Sequence, residues 1–289
     1  MADALPPGAA AVLREKERAE NFPVALRLLP RDLRDGLRAV YDVVRTIDDL
    51  GDDPAVAPEA RLAALTAFSA DLERVWSTAE PEAAVLRRLV PAVRRSHLPH
   101  DCFDRLIRAN IIDQQVSRYE TFSALLGYCQ LSAAPIGELV LHLFDRATPD
   151  RITLSGRVCA ALQVAEHLQD VAEDRRHGRI YLPAEDMAAH GVPESDLDAP
   201  AASPALRALI AAEAGRVAGL LESGPPLVAG LTGWARLAVA AYVAGGRAAL
   251  DGLRRVDGDV LPGSPGVRRR DLLRHLGADL LSSRGVARC

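Results

Sequence analysis

The 289-residue chain is poor in rings: Phe, Trp and Tyr make up 4% of it, and only two methionines occur. Its four cysteines, Cys102, Cys129, Cys159 and Cys289, are scattered, with no C-x-x-C pair. That spacing speaks against a zinc site or a disulfide framework and fits a reducing compartment. Charge of one sign is also lacking, since 35 Lys and Arg against 39 Asp and Glu leave a net charge of −4. With no face-wide basic excess, nucleic acid is not an expected partner. No stretch reaches about 18 uninterrupted apolar residues; Arg236 and Arg247 interrupt the best candidate. The start, "MADALPPGAAAVLREKERAE", has neither the basic opening nor the unbroken apolar core of a signal peptide. The expectation is a soluble, cytoplasmic protein, at most peripheral on the inner face of the membrane. The one basic run is "VRRRDLLRHL". Most such runs are solvated helix faces, and contact with a membrane surface is the alternative.

Alternating β-branched strands are missing too. Apolar residues instead recur three and four apart in "LRDGLRAVYDVV", "RLAALTAFSADLERVW", "FDRLIRANIIDQQV", "ALRALIAAEAGRVAGLLE" and "LAVAAYVAGGRAALDGLRRV". Abundant alanine beside so few aromatics favours helices packed closely together. The breaks are local: Pro54, Pro81, Pro99, Pro149, "YLPAEDMAAHGVPESDLDAP", "SGPP" and "LPGSPG". The reading is one all-α domain over residues 1–289, with a core of about 20–255 and a C-terminal helix at about 266–283.

What the chain does have is acid in an unfavourable place. "RTIDDLGDD" puts Asp48, Asp49, Asp52 and Asp53 at the end of an apolar helical run. Like charges three or four apart on a helix cost about 0.2–0.5 kcal/mol per pair, and the macrodipole is already negative at that end. A second cluster follows in "LQVAEHLQDVAEDRRHGRIYLP", where Glu166, Asp170 and Asp174 fall at i, i+4 and i+8. On one continuous helix they share a face, with Gln163 one turn earlier on nearly the same stripe. Arg45 precedes the first cluster; Arg175, Arg176 and Arg179 follow the second. Mg²⁺ takes oxygen ligands, usually one or two carboxylates together with waters and substrate phosphates. Spacing alone leaves two readings open: a metal-bridged diphosphate site, or solvated acidic faces.

These clusters, with "YCQLSAAPIG" between them, resemble the squalene/phytoene synthase family of isoprenoid synthases in order and spacing. The resemblance spans roughly residues 20–255. It implies the class I isoprenoid synthase fold, a single all-α bundle around a deep apolar cavity in which two aspartate-rich helices bind diphosphate through Mg²⁺. By motif, Asp48 and Asp52 would be metal ligands of the first helix, supported by Asp49 and Asp53. Asp170, Asp174 and Glu166 would be those of the second, with Glu166 standing where the family usually has Asn. Asp48, Asp52, Asp170 and Asp174 would also be catalytic, together with Tyr128 beside the reacting carbons. Tyr41, Arg45, Gln163, Gln169, Arg179, Tyr181 and Tyr242 match substrate-side positions, as does Asn21 in "ENFPV". His167 receives no role.

The small residues around Pro135 in "YCQLSAAPIG" read either as close helix packing or as a widened tunnel for long prenyl chains. "ENFPVALRLLP", "SRYETFSALLGYCQLSAAPIGELVLHLF" and the Gln of "HLQD" resemble the branch that converts presqualene diphosphate to hydroxysqualene in hopanoid biosynthesis. The common condensing enzymes carry Arg where this chain has Gln169, and Ala134 stands where this branch often has Asn. One diphosphate needs fewer cations than two. The resemblance therefore implies Mg²⁺ and a presqualene diphosphate substrate. No NADPH is expected, because no G-x-G-x-x-G follows a strand. Rival readings are head-to-head condensation to presqualene diphosphate or phytoene, and a catalytically silent binding relative. The chain would be a monomer or a homodimer.

Overall fold

The structure is a computed structural model and describes residues 29–53 and 55–282. The helices, in chain order, are α1 (Arg31–Asp52), α2 (Pro58–Leu72), α3 (Ala84–Ser96), α4 (His100–Ile112), α5 (Phe122–Ser132), α6 (Ala134–Leu143) and α7 (Pro149–Gln169). They continue as α8 (Val171–Arg176), α9 (Ala184–His190), α10 (Pro204–Leu221), α11 (Gly224–Ala229), α12 (Gly233–Arg255) and α13 (Arg269–Ser282). Extended pairing among the described residues is confined to one parallel bridge between Arg118 and Ile180. Contacts divide the chain into two compact units. The first takes Met1–Gln115 and Pro135–Thr148, and the second takes Val116–Ala134 and Pro149–Cys289.

In the first unit, α1 buries Leu37, Val40, Val43 and Ile47, spaced three and four apart so that they form one stripe. That stripe packs against α2, α3 and α4. Leu65, Leu72, Leu86, Leu89 and Phe103 are fully enclosed from the facing helices. Each such side chain contributes about 1.5–3 kcal/mol by leaving water. Pro58 opens α2 at a position where its missing N–H costs nothing. His97, at φ 50°, ends α3 in the left-handed conformation, and Pro99 sets the entry to α4.

In the second unit, α7, α10 and α12 pack on one another through small residues. Ala160, Ala161 and Ala165 on α7 and Ala240, Ala244 and Ala248 on α12 are buried. Gly246 marks the closest approach, because a Cβ there would overlap Leu162 and crowd Leu221. The alanine-rich, ring-poor composition is thus spent on close helix contacts. Helix α13 lies along α12 through Arg255–Asp271, His275–Asp251 and Arg247–Asp279 ion pairs. It begins at Arg269, later than the expected 266, because the Arg268 carbonyl accepts the first-turn N–H of Asp271 at 2.9 Å. Part of the basic run is therefore committed: Arg274 pairs with Asp251 at 2.5 Å.

The break in "YCQLSAAPIG" falls at Ala133, at φ −119° and ψ −44°, and Pro135 stands in the first turn of α6. Pro135 there occupies a position that needs no N–H. Among the described residues, the helical segment long and apolar enough to stand out is Phe122–Leu143, with mean hydropathy 1.3, rather than the stretch around Arg236 and Arg247. It is long and apolar enough to cross a membrane by composition, but 56% of it is buried, as in a core helix of a soluble protein.

Candidate functional site

The first acidic group sits at the C-terminus of α1. Tyr41, Arg45, Asp48 and Asp52 fall four, three and four apart, so they share one helix face. Asp48 is half-buried and Asp52 is exposed at the last helical position. The Asn110 amide, from α4, donates to Asp48 Oδ1 at 3.2 Å. Asn110 leaves room for nothing larger than glycine opposite it, since a Cβ at Gly51 would overlap its carboxamide. The Gly51 carbonyl, left without a helical donor at the end of α1, accepts from Gln114 at 2.9 Å and Arg61 at 3.1 Å. A helix end bearing several carboxylates is thereby held by neutral and cationic donors from α2 and beyond α4. Burial pushes the Asp48 carboxyl up to about 6; Asn110 and Arg45 pull it down, and Asp52 and Asp49 push it further up.

The four aspartates are not equivalent. Asp49 is exposed and pairs with Arg45 at 3.2 Å. Asp53 lies beyond the helix at ψ 107°, and its carboxylate accepts the Ala55 N–H at 2.9 Å. Asp53 thus caps a turn one residue past the end of the helix.

The second group surrounds the junction of α7 and α8. The expected single helix is broken at Asp170, at φ −105° and ψ 17°. Its hydrogen-bond ladder survives, with Asp170 N–H to Glu166 O at 2.9 Å and Asp174 N–H to Asp170 O at 2.8 Å. The i, i+4, i+8 relation of the three acids is accordingly kept. Glu166 is exposed, while Asp170 and Asp174 are half-buried. Burial raises the Asp170 carboxyl above its ordinary range, and a Ser264 hydrogen bond opposes that rise. Asp174 Oδ2 is buried and accepts no hydrogen bond; His167 Nδ1 lies 3.5 Å from it. A buried carboxylate oxygen left without a donor is costly, and a hard cation would satisfy it. Oxygen-only donors in this state fit Mg²⁺.

Aromatic rings line the same group. Tyr119, Tyr128 and Tyr181 are all buried. Tyr128 lies 5.4 Å from Tyr119 and 5.9 Å from Tyr181, centroid to centroid. His167 stacks on Tyr181 at 3.6 Å, and its Nε2 lies 3.3 Å from the Gln163 amide. Tyr128, Tyr181, Gln163 and Asp174 are thus brought together, with His167 among them. Sequence reasoning left His167 without a role, although its position four residues after Gln163 was a usable signal. The segment carrying Arg179 and Tyr181 is tied down along its length. Ile180 N–H donates to Ser117 O at 2.9 Å, Ala184 N–H to Tyr119 O at 2.9 Å, and Arg118 to Gly178 O at 2.7 Å. Arg118 and Arg175 both hold Glu194, at 2.7 and 3.0 Å.

Gln169 lies at the end of α7. It is 2% exposed, and its amide donates to the Pro265 carbonyl at 2.6 Å. That bond spends an amide donor on the main chain. Tyr242 is half-buried on α12, and Ala134 Cβ lies against Gly156, as close packing requires. Asn21 lies outside the described residues. A separate trio in the first unit, Glu73, His100 and Asp104, has metal-ligating chemistry. Its two close contacts use opposite ring nitrogens, Nε2 to Glu73 and Nδ1 to Asp104, each at 3.1 Å. These contacts link the Glu73–Trp76 turn to α4.

The chain is similar to known proteins. The chain is 36% identical to the hydroxysqualene synthase of Rhodopseudomonas palustris over 213 residues, 73% of this chain and 71% of that protein. It is 35% identical to the phytoene synthase of Mycobacterium tuberculosis over 174 residues, 60% of this chain and 56% of that protein. Among solved structures, squalene synthase HpnC of Alicyclobacillus acidocaldarius matches with a TM-score of 0.76 and 37% identity, covering 86% of this chain and 94% of that one. The all-α arrangement is the isoprenoid synthase fold. Residues 16–274 match the squalene/phytoene synthase family, and the chain belongs to it.

Proposed function

We propose that the protein ionises presqualene diphosphate and captures the rearranged cation with water, giving hydroxysqualene and diphosphate. The observation that carries this reading is residue 169, an uncharged and buried glutamine beside an intact set of carboxylates. The likeness to a hydroxysqualene synthase over 73% of the chain supports it. Asp48 and Asp52, with Asp49 beside them, and Asp170 and Asp174, with Glu166, would hold Mg²⁺. When bound, Mg²⁺ supplies Lewis-acid neutralisation of the departing diphosphate.

The chain's own side chains do the rest. Arg45 and Arg179 would donate charge-assisted hydrogen bonds to diphosphate oxygens, with Tyr41 adding its hydroxyl. The Tyr119, Tyr128 and Tyr181 rings offer π-faces to a developing carbocation. The Tyr128 hydroxyl would orient the attacking water or a departing proton. A wall of buried rings and aliphatic groups keeps other water away from the cation.

A second reading, head-to-head condensation of two prenyl diphosphates, is favoured by the 35% identity to a phytoene synthase. A silent binding relative is disfavoured by the retained acids, since a buried carboxylate without ligand chemistry only costs stability. The test is product analysis with purified protein and Mg²⁺, supplying presqualene diphosphate or farnesyl diphosphate, with and without NADPH. Hydroxysqualene from presqualene diphosphate, unchanged by NADPH, is expected. Efficient formation of presqualene diphosphate or phytoene from simple prenyl diphosphates would favour the condensing reading instead.

A further inference from the structure

His167 stands inside the second acidic group, and no motif assigns it a role. Its ring is held on three sides by groups of the same compact unit. Tyr181 covers one face, with 3.6 Å between ring centroids and 13° between the planes. The Gln163 amide nitrogen, one helical turn earlier, stands 3.3 Å from Nε2. On the opposite edge of the ring, Asp174 Oδ2 stands 3.5 Å from Nδ1. The His167 side chain is 10% exposed, so these neighbours, and not water, decide where its proton sits.

An amide nitrogen only donates, so Nε2 must accept, and the single proton of the neutral ring sits on Nδ1. That N–H faces a buried Asp174 oxygen that accepts no hydrogen bond. At 3.5 Å the contact lies just outside hydrogen-bond range, and a closure of a few tenths of an ångström completes it. We propose that His167 is a positioning residue for Asp174: Gln163 fixes its tautomer, Tyr181 fixes its plane, and the Nδ1 proton holds the carboxylate. A carboxylate oxygen carries two lone pairs, so the Nδ1 proton and a cation can share it. A carboxylate held in this way loses less rotational freedom when it ligates a metal. Outer partners of this kind change metal affinity by about 10–100-fold. The inference rests on the proposed role of Asp174 as a metal ligand.

Two measurements on the full chain test this. The first is nitrogen-15 NMR of the imidazoles without metal, at a pH where histidine is neutral. The His167 signals are assigned by their loss in His167→Phe. A ring protonated on Nδ1 is expected, and one protonated on Nε2 would overturn the proposal. The second is Mn²⁺ binding read by electron paramagnetic resonance in the presence of inorganic diphosphate. His167→Phe keeps a flat ring for Tyr181 but no donor, and is expected to raise the half-saturating Mn²⁺ concentration about tenfold. His167→Asn puts an amide donor near the place of Nδ1 and is expected to stay within about threefold of the parent. Asp174→Asn serves as the reference loss. Parent-like binding by His167→Phe beside a clear loss in Asp174→Asn would overturn the positioning role alone. An equal loss in a folded His167→Asn would also overturn it, since the donor would not be the cause. Parent-like binding by Asp174→Asn would remove the metal-ligand reading, and the proposal with it. The tautomer and the His167→Phe result decide the matter if His167→Asn fails to fold.

Discussion

His167 lies flat on Tyr181, with ring centroids 3.6 Å apart and planes inclined by 13°. The stack fixes the tyrosine of "GRIYLP" against the helix that bears the second acidic group. It also sets His167 Nδ1 3.5 Å from Asp174. Stacked ring pairs contribute about 0.5–1.5 kcal/mol beyond their burial. His167→Ala should therefore lower unfolding free energy by more than about 1 kcal/mol. His167→Phe, which keeps a flat ring, should recover most of that loss. Urea titration of both variants checks it; an unchanged midpoint in His167→Ala would show that the stack does not hold Tyr181.

Tyr128 is 8% exposed and packed between Tyr119 and Tyr181. Tyr128→Phe removes one hydroxyl and no ring surface. The expected outcome is a stability change below about 1 kcal/mol, with a slower rate or an altered product ratio. Chromatography of products beside a thermal melt separates the two effects. A variant that loses stability but makes parent-like product would place Tyr128 in packing only.

Much of this was legible in the sequence because period and charge are local signals. The stripe Leu37, Val40, Val43 and Ile47 announces a helix and its buried face, and the acids four apart announce a shared side. What stayed hidden came from partners far along the chain. Asn110 reaches Asp48 across 62 residues, and no pattern near Asp48 signals it. The bond from Gln169 to Pro265 depends on where the chain returns 96 residues later. The end of α1 just before Asp53 was hidden for a different reason: helix ends depend on a single ψ, which spacing does not reveal.

Two buried carboxylates, Asp186 and Glu213, share the exposed Arg216 and make stability depend on pH. Arg216 grips Asp186 with both terminal nitrogens at 2.6 and 2.7 Å and reaches Glu213 at 3.0 Å. Glu213 is 1% exposed, and its second oxygen accepts no hydrogen bond. Burial, opposed by Arg216 and aided by Asp186, raises its carboxyl from 4.5 to about 7. A carboxyl raised in the folded state binds its proton more tightly there than in the unfolded chain. Its contribution is full below about 4.5 and is lost as pH climbs to about 7. Glu213→Gln should flatten that slope by on the order of 1 kcal/mol, or about 2–4 °C in Tm. Melts at several pH values test this, and an unchanged slope would remove Glu213 as the source.

Asp48 carries the sharpest prediction for the proposed metal site, because its proton and a cation compete for the same oxygens. Its carboxyl is pushed from 3.8 up to about 6, chiefly by burial. Without metal, that shift contributes stability below about 3.8 and loses it as pH rises to about 6. With metal the sign reverses, since only the ionised carboxylate is a ligand. The half-saturating Mg²⁺ concentration measured with inorganic diphosphate should be flat above about pH 6 and rise by about tenfold per unit below it. Asp48→Asn should bind weakly at every pH with no such break, and Asp48→Ala should abolish turnover while the circular dichroism spectrum stays helical. Calorimetric titration from pH 5 to pH 8 reads the break directly. A parent protein whose Mg²⁺ affinity does not change across that range, or an active Asp48→Ala, would take Asp48 out of the metal site.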